Sequence, residues 1–153
     1  MRTEPKPITI LIADDDQDDR LLIREAFIEN KLPYDVRFVE DGEALMDYLL
    51  QRGKYSASDA APGPGLILLD LNMPGMDGRE VLKEIRANAR LRHIPIVVLT
   101  TSHEAEDIYQ SYTVGANSFI TKPNTFEAIS QLINSIGKYW LEIVELPRDK
   151  IDV

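Results

Sequence analysis

The stretch at residues 66–78, LILLDLNMPGMDG, decides the fold. Four consecutive apolar residues end in Asp70, and the turn residues Pro74, Gly75 and Gly78 follow. A short apolar run bounded by turn residues is typical of a strand that is buried on both faces of a parallel sheet. In open α/β sheets, ligands bind beyond the carboxyl ends of such strands. The sequence therefore predicts that the carboxylate of Asp70 lies where a ligand would bind.

Similar segments lie before and after this strand along the chain. We predict four further strands, at residues 8–13 (ITILIA), 34–39 (YDVRFV), 94–101 (IPIVVLTT) and 118–121 (SFIT). Apolar residues at helical spacing predict five helices, at residues 17–30, 43–51, 77–88, 104–114 and 125–140. Five strands that alternate with five helices predict an α/β fold, a doubly wound five-stranded parallel sheet flanked by helices.

The length of 153 residues is enough for one domain with a full core and too short for two ordinary domains. We assign this domain to residues 8–140, after a disordered N-terminal lead at residues 1–7 and before an apolar tail at residues 141–153. Residues 52–65 (RGKYSASDAAPGPG) predict a surface loop inserted in the domain. The apolar segment 139–146 (YWLEIVEL) has two interpretations, a helix end packed on its own domain or a self-association face.

Composition excludes several classes of function. The formal net charge of −9 argues against binding to nucleic acid or an anionic membrane, because phosphate groups require clustered Lys and Arg. The chain has no cysteine, which excludes disulfides, thiolate metal sites and thiol catalysis. No long apolar run and no secretory leader are present, so we expect a cytoplasmic protein.

Polar residues collect at the rim formed by the carboxyl ends of the predicted strands: Asp14, Asp15, Asp70, Thr100, Thr101 and Lys122. Two carboxylates about 5 Å apart repel by ~3 kcal/mol at an effective dielectric constant of about 20, so the acids favour a cation between them. Oxygen ligands with room for water suit Mg²⁺. Carboxylates, a cation, a hydroxyl group and an ammonium group are the components that phosphoryl transfer requires.

Four motifs now identify a family: ILIADD at residues 10–15, LLDLNMPGMDG at 68–78, PIVVLT at 95–100 and FITKP at 119–123. In this order, over nearly the whole chain, they resemble the CheY-like receiver domains of two-component response regulators. The resemblance implies that Asp70 accepts a phosphoryl group from a sensor histidine kinase and that the interaction surface then changes. It implies no enzymatic activity beyond the protein's own phosphorylation and slow autodephosphorylation.

The resemblance also implies a role for each residue of the rim. Four residues are expected to ligate Mg²⁺, or alternatively Mn²⁺: Asp14, Asp15, Asp70 and, through its backbone carbonyl, Asn72. Thr100 and Lys122 are expected to bind the phosphoryl group, and Thr100 and Phe119 to form the conformational switch. Pro123 has a structural role beside Lys122, with either a cis or a trans peptide bond.

One position departs from the family's pattern. A very small residue usually follows the switch threonine, and this chain has Thr101 there. We expect Thr101, with Ser102 next to it, to tune access to Asp70. The inserted loop at 52–65, the DLNMPGMDG motif and the tail KYWLEIVELP further resemble stand-alone receivers that pair with bacterial and cyanobacterial phytochrome histidine kinases. This narrower resemblance implies a light-regulated kinase as phosphodonor and a homodimer.

Residues at the rim argue against two other functions. A flavodoxin-like FMN carrier would need a phosphate-binding loop after the first strand, where the acids at residues 14–16 would repel a phosphate. A phosphatase of the haloacid dehalogenase type would need an acid two residues after the nucleophile, where Asn72 stands. A phosphorelay shuttle and a phosphorylation-independent scaffold remain as alternatives, because both retain the same site.

Overall fold

A computed structural model of the protein describes residues 7–57 and 60–147. Strands and helices alternate in the order β1 (Thr9–Ala13), α1 (Gln17–Glu29), β2 (Asp35–Val39), α2 (Gly42–Leu50), β3 (Leu66–Leu69), α3 (Gly78–Ala87), β4 (Ile96–Thr100), α4 (Ala105–Val114), β5 (Ser118–Thr121) and α5 (Phe126–Ile136). A 3-10 turn at Gly53–Tyr55 follows α2, and a π-helical segment at Gly137–Ile143 continues α5. All the predicted elements are present, and most of their ends lie within two residues of the prediction.

The five strands form one parallel sheet in the order β2-β1-β3-β4-β5. This order confirms the predicted doubly wound fold. The chain moves outward in one direction from β1 to β2 and in the other from β3 to β5, so the reversal lies between β1 and β3. A crevice forms at such a reversal, beyond the carboxyl ends of the strands. Asp14 and Asp70 are the residues that directly follow these two strands.

Each face of the sheet has its own apolar core, because successive side chains of a strand point to opposite faces. In β3, Leu66 and Leu68 pack with α1 and α5, whereas Ile67 and Leu69 pack with α2 and α3. All four leucine and isoleucine side chains are buried. The unbroken apolar run in the sequence therefore corresponds to a strand covered on both faces, as predicted.

Side-chain caps fix where α1, α3 and α5 begin. The Asp16 carboxylate accepts hydrogen bonds from the amides of Asp18 and Asp19 at 2.8 and 3.1 Å, which starts α1 immediately after the acidic triplet. The carboxylate of Asp77 caps α3 in the same way, by accepting hydrogen bonds from the amides of Arg79 and Glu80. The hydroxyl of Thr125 caps α5, where it accepts a hydrogen bond from the amide of Ala128 at 3.2 Å.

The inserted segment at 52–65 is anchored more firmly than its composition predicts. Tyr48 of α2 is buried, and its hydroxyl donates a hydrogen bond to the carbonyl of Pro62 at 2.8 Å. The ring of Tyr55 packs edge-on against Tyr48, with ring centroids 5.1 Å apart, and Ala61 is buried in the core. The segment thus covers the α2 side of the sheet. Residues 58 and 59, within the segment, lie outside the described residues.

The apolar C-terminal segment is divided between the core and the surface. Trp140 and Leu141 pack against the core formed with α1 and α5, whereas Tyr139 is 55% exposed and Ile143 is 70% exposed. Residues 1–6 of the predicted N-terminal lead and residues 148–153 of the predicted tail lie outside the described residues. No helix within the described part of the chain is long and apolar enough to cross a membrane.

The buried hydroxyl of Tyr48 gives a prediction for stability. Burial raises the pKa of Tyr48 from 10.0 to about 12. Because the folded-state pKa exceeds the unfolded value, the stability that this hydroxyl contributes is fully present below pH 10 and is lost as the pH rises toward about 12. Tyr48→Phe should lower the free energy of unfolding by about 1 kcal/mol at pH 7, and this deficit should shrink above pH 10.

Urea unfolding of the parent and the variant at several pH values measures the difference. Tyr109→Phe is the matched control, because the Tyr109 side chain is exposed on α4 and should give no pH-dependent deficit. A deficit for Tyr48→Phe that stays constant from pH 7 to about 12 would contradict this account of the segment's anchor.

Candidate functional site

The strands bring the predicted rim residues together at one edge of the sheet. Asp14, Asp70 and Lys122 directly follow β1, β3 and β5. Thr100 is the last residue of β4. Asp14, Asp70 and Thr100 are at most 6% exposed, so most of the site is shielded from solvent. The backbone helps to hold it, because the Asp70 amide donates to the carbonyl of Ala13 at 3.0 Å.

Three carboxylates form a potential cation site at this edge. Asp14, Asp15 and Asp70 each offer one oxygen, and these three oxygens lie within 4.8 Å of one another. Asp14 and Asp70 are buried, whereas Asp15 is exposed and leaves one side of the group open to solvent. Burial raises the pKa of Asp14, although the Lys122 side chain and the Asp16 amide lower it. An oxygen-only group with an open side fits a divalent cation such as Mg²⁺, which keeps several waters.

The ammonium group of Lys122 contacts three carboxylates at once. Its Nζ atom lies 2.6 Å from Asp14, 2.8 Å from Asp19 and 3.2 Å from Asp70. Burial alone would lower the pKa of Lys122, but the hydrogen bonds to Asp14 and Asp19 raise it well above its usual range. The side chain of Lys122 is only 7% exposed. A permanent positive charge is therefore fixed beside Asp70, inside the protein.

A hydroxyl group also faces the carboxylate of Asp70. Thr100 is fully buried, and its hydroxyl donates to Asp70 Oδ1 at 2.8 Å. The backbone amide of Asn72 donates to the same oxygen at 3.2 Å, and the Asn72 side-chain amide donates to the Thr100 hydroxyl at 3.5 Å. The side chain of Asn72 is a hydrogen-bond donor here, so no acid is present at the position where a phosphatase of the dehalogenase type needs one.

Gly78 allows the turn after β3 to close tightly beneath the site. A Cβ atom on Gly78 would lie 2.4 Å from the backbone oxygen of Asp70 and 2.7 Å from the Cα atom of Leu71. Both neighbours are backbone atoms, which cannot move aside as a flexible side chain could. The glycine at the end of LNMPGMDG is therefore required so that α3 can begin directly behind the acidic residue.

The loop after β4 is tied to two helices. The Ser102 hydroxyl donates to Asp107 of α4 at 2.6 Å, and Arg79 of α3 binds the other oxygen of Asp107 at 2.7 Å. The hydrogen bonds from Ser102 and Arg79 lower the pKa of Asp107. Ser102 is thus turned toward α4, and Thr101, between this residue and Thr100, is exposed.

The remaining predicted residues lie next to the site rather than in it. Phe119 is partly buried and packs with the core on the α2–α3 side of the sheet. Its backbone amide donates to the hydroxyl of Tyr112, on α4, at 3.2 Å. The peptide bond between Lys122 and Pro123 is trans.

Sequence reasoning missed two parts of the site. Asp19, in the first turn of α1, contacts Lys122 directly, but the sequence shows it only as one more acid in the run DDDQDD. The contact between the side-chain amide of Asn72 and Thr100 is the second part, because the sequence prediction gives a role only to the backbone carbonyl of Asn72.

The fold and the site together define a parallel α/β domain with three clustered carboxylates and a buried lysine at one edge of its sheet. A model of the response regulator receiver domain matches residues 10–134 of this chain. The chain belongs to the response regulator receiver domain family, and it is a response regulator of two-component signalling.

Several relatives are associated with phytochromes. Response regulator Rcp1 of Synechocystis sp. is 41% identical over 141 residues, which cover 92% of this chain and 94% of that protein. The crystal structure of its Mn²⁺-bound form has a TM-score of 0.84 and 40% identity, covering 93% of this chain and all of that one. The phosphorylated cyanobacterial phytochrome response regulator RcpA has a TM-score of 0.86 and 40% identity, with coverage of 94% and 100%.

A third solved structure is response regulator RPA3017, described in red light signalling of R. palustris. Its TM-score is 0.88 and its identity 35%, and the match covers 93% of this chain and 99% of that one. The phytochrome-associated response regulators are therefore among the relatives of this protein, as the narrower sequence resemblance predicts.

Proposed function

We propose that Asp70 accepts a phosphoryl group from a sensor histidine kinase in a Mg²⁺-dependent reaction, and that this changes the binding surface of the protein. The observation that supports Asp70 most strongly is its set of contacts. Its two oxygens face different groups, a buried hydroxyl from Thr100 and the ammonium of Lys122. Each of these groups can bind an oxygen of a phosphoryl group attached there.

The divalent cation would be held by the carboxylates of Asp14, Asp15 and Asp70 and by the backbone carbonyl of Asn72. Mn²⁺ is an alternative ion, since the relative Rcp1 has a Mn²⁺-bound form. When bound, the cation neutralises negative charge on the phosphoryl oxygens and on the carboxylates around them. Asp15 is the exposed member of the group, which leaves room for phosphate oxygens and water.

The transfer itself requires a nucleophile and a fixed positive charge. An oxygen of Asp70 attacks the phosphorus of a phosphohistidine, so that a P–O bond forms while the P–N bond breaks and the imidazole leaves. The charge of Lys122 is already in place, so little reorganisation is needed as the charge on the phosphoryl oxygens shifts. Because Asn72 supplies no acid, water is not activated against the product, and slow autodephosphorylation follows.

The switch would begin at Thr100. Its hydroxyl, now bonded to Asp70, would turn to a phosphoryl oxygen, and Phe119 would move toward the space that it leaves. The amide of Phe119 is bonded to Tyr112 on the exposed side of α4. Movement at Phe119 would therefore alter the face formed by α4, β5 and α5, which is the kind of two-state element that switches use.

Intact mass spectrometry after incubation with acetyl phosphate and Mg²⁺ tests this proposal. The parent should gain one phosphoryl group, and Asp70→Asn should gain none, because the amide is not a nucleophile. EDTA should abolish the adduct. Asp18→Asn removes an acid from the exposed surface of α1 and should still be phosphorylated. An unmodified parent over a wide range of Mg²⁺ concentration would contradict the proposal and favour a phosphorylation-independent scaffold.

The exposed Thr101 is proposed to restrict access to Asp70. Thr101→Ala should speed both phosphorylation by acetyl phosphate and loss of the phosphoryl group, because a smaller side chain widens the path for the donor and for water. Rates can be followed by mass spectrometry, with the exposed Thr113→Ala on α4 as the control. Rates that are equal in the parent and in Thr101→Ala would remove this role from Thr101.

A phytochrome-type histidine kinase is the proposed phosphodonor. The support is similarity to a phytochrome response regulator and to a regulator in red light signalling, and the test is phosphotransfer from such a kinase compared with a chemotaxis kinase.

The exposed Tyr139 and Ile143 support a homodimer. Sedimentation of the parent beside Ile143→Ser tests it, because a monomeric parent would contradict it.

A further inference from the structure

The third carboxylate on Lys122 has no assigned role. Asp14 and Asp70 belong to the proposed cation site, but Asp19 lies on α1 and is not one of its ligands. Its Oδ2 atom is 2.8 Å from Lys122 Nζ, a shorter contact than the 3.2 Å to Asp70. The two residues are 103 positions apart in the sequence, so this contact joins the start of α1 to the end of β5.

Asp19 is itself held in place. Its backbone amide donates to the Asp16 carboxylate that caps α1, which fixes the first turn of the helix. The side chain of Asp19 is 28% exposed, whereas that of Lys122 is 7% exposed, so the contact lies at the edge of the buried site. An ammonium group has three N–H donors, and here the three donors have three carboxylate acceptors. The position of Lys122 therefore depends on all three acids.

The ammonium and a divalent cation compete for two of these acids. Both positive charges need oxygens of Asp14 and Asp70, and each weakens the other's hold through like-charge repulsion. The Asp19 carboxylate gives the ammonium a third acceptor and offsets part of its charge. Without Asp19, the ammonium would be shared between Asp14 and Asp70, the two acids that the cation also needs.

We propose that Asp19 is a positioning residue that shares the ammonium of Lys122 with the cation ligands Asp14 and Asp70 and so raises the affinity of the site for a divalent cation. This inference rests on the proposed function in one respect, since the cation is the one that phosphorylation would require. Cation binding can be measured without any phosphoryl donor, however. A failure of phosphorylation and a failure of this inference are therefore distinguishable.

The experiment is isothermal titration of the full chain with Mg²⁺ and, separately, with Mn²⁺. Asp19→Asn keeps the shape of the side chain but removes its charge, and it should weaken cation binding by roughly 3- to 10-fold. Asp18→Asn is the matched control, since it removes the same charge from the neighbouring residue of the same helical turn. It should change the affinity by less than about twofold, because an exposed charge is screened by solvent.

Two further variants separate positioning from a general loss of charge or of structure. Asp19→Glu keeps the carboxylate and should restore most of the affinity. In a Lys122→Met background, Asp19→Asn should have no larger effect than Asp18→Asn, because there is no ammonium left to position. Equal effects of Asp18→Asn and Asp19→Asn would overturn the proposal, as would an Asp19→Asn effect that persists unchanged without Lys122. Thermal unfolding verifies that each variant is folded.

Discussion

The ammonium group of Lys122 is the interaction on which the site depends. Four carboxylates lie around it or next to it (Asp14, Asp15, Asp19 and Asp70), and Lys122 pairs with three of them. Without a positive charge among them, these acids would repel one another, and the buried ones would take up protons. One ammonium against four acids leaves the group negatively charged, which attracts a divalent cation. The same ammonium remains beside Asp70 for a phosphoryl group.

The fold places these side chains with little additional loss of conformational freedom. Parallel strands end at the same edge of the sheet, so Asp14, Asp70, Thr100 and Lys122 each lie at the end of a strand or directly after it. The strands are buried on both faces, and Gly78 lets α3 begin directly behind Asp70. Side chains held in this way need little reordering before reaction, which is the usual basis of electrostatic stabilisation in buried sites.

Much of this could be predicted from the sequence, for a simple physical reason. Asp14, Asp70, Thr100 and Lys122 all follow or end apolar strands, and a parallel sheet must bring such residues together. Asp19 could not be predicted, because the run DDDQDD contains five acids of the same type, and only tertiary packing decides which of them meets Lys122. Local pattern gives no information on a contact across 103 positions.

Two segments outside the sheet also have features that the sequence does not predict. The composition of residues 52–65 predicts a loop, but not that the Pro62 carbonyl accepts a hydrogen bond from Tyr48 and that Ala61 is buried. At the C-terminus, apolar spacing predicts a helix to Trp140, whereas α5 passes into π-helical geometry after Ile136. This change of backbone geometry is not encoded in the spacing of apolar residues.

Locating the phosphoryl group among three adjacent carboxylates tests the central claim most directly. After reaction with acetyl phosphate and Mg²⁺, borohydride reduction converts a phosphorylated aspartate to homoserine, which peptide mapping can locate. The account predicts homoserine at position 70 alone, because only Asp70 faces both Thr100 and Lys122. Modification at the more exposed Asp15, or spread over all three acids, would contradict it.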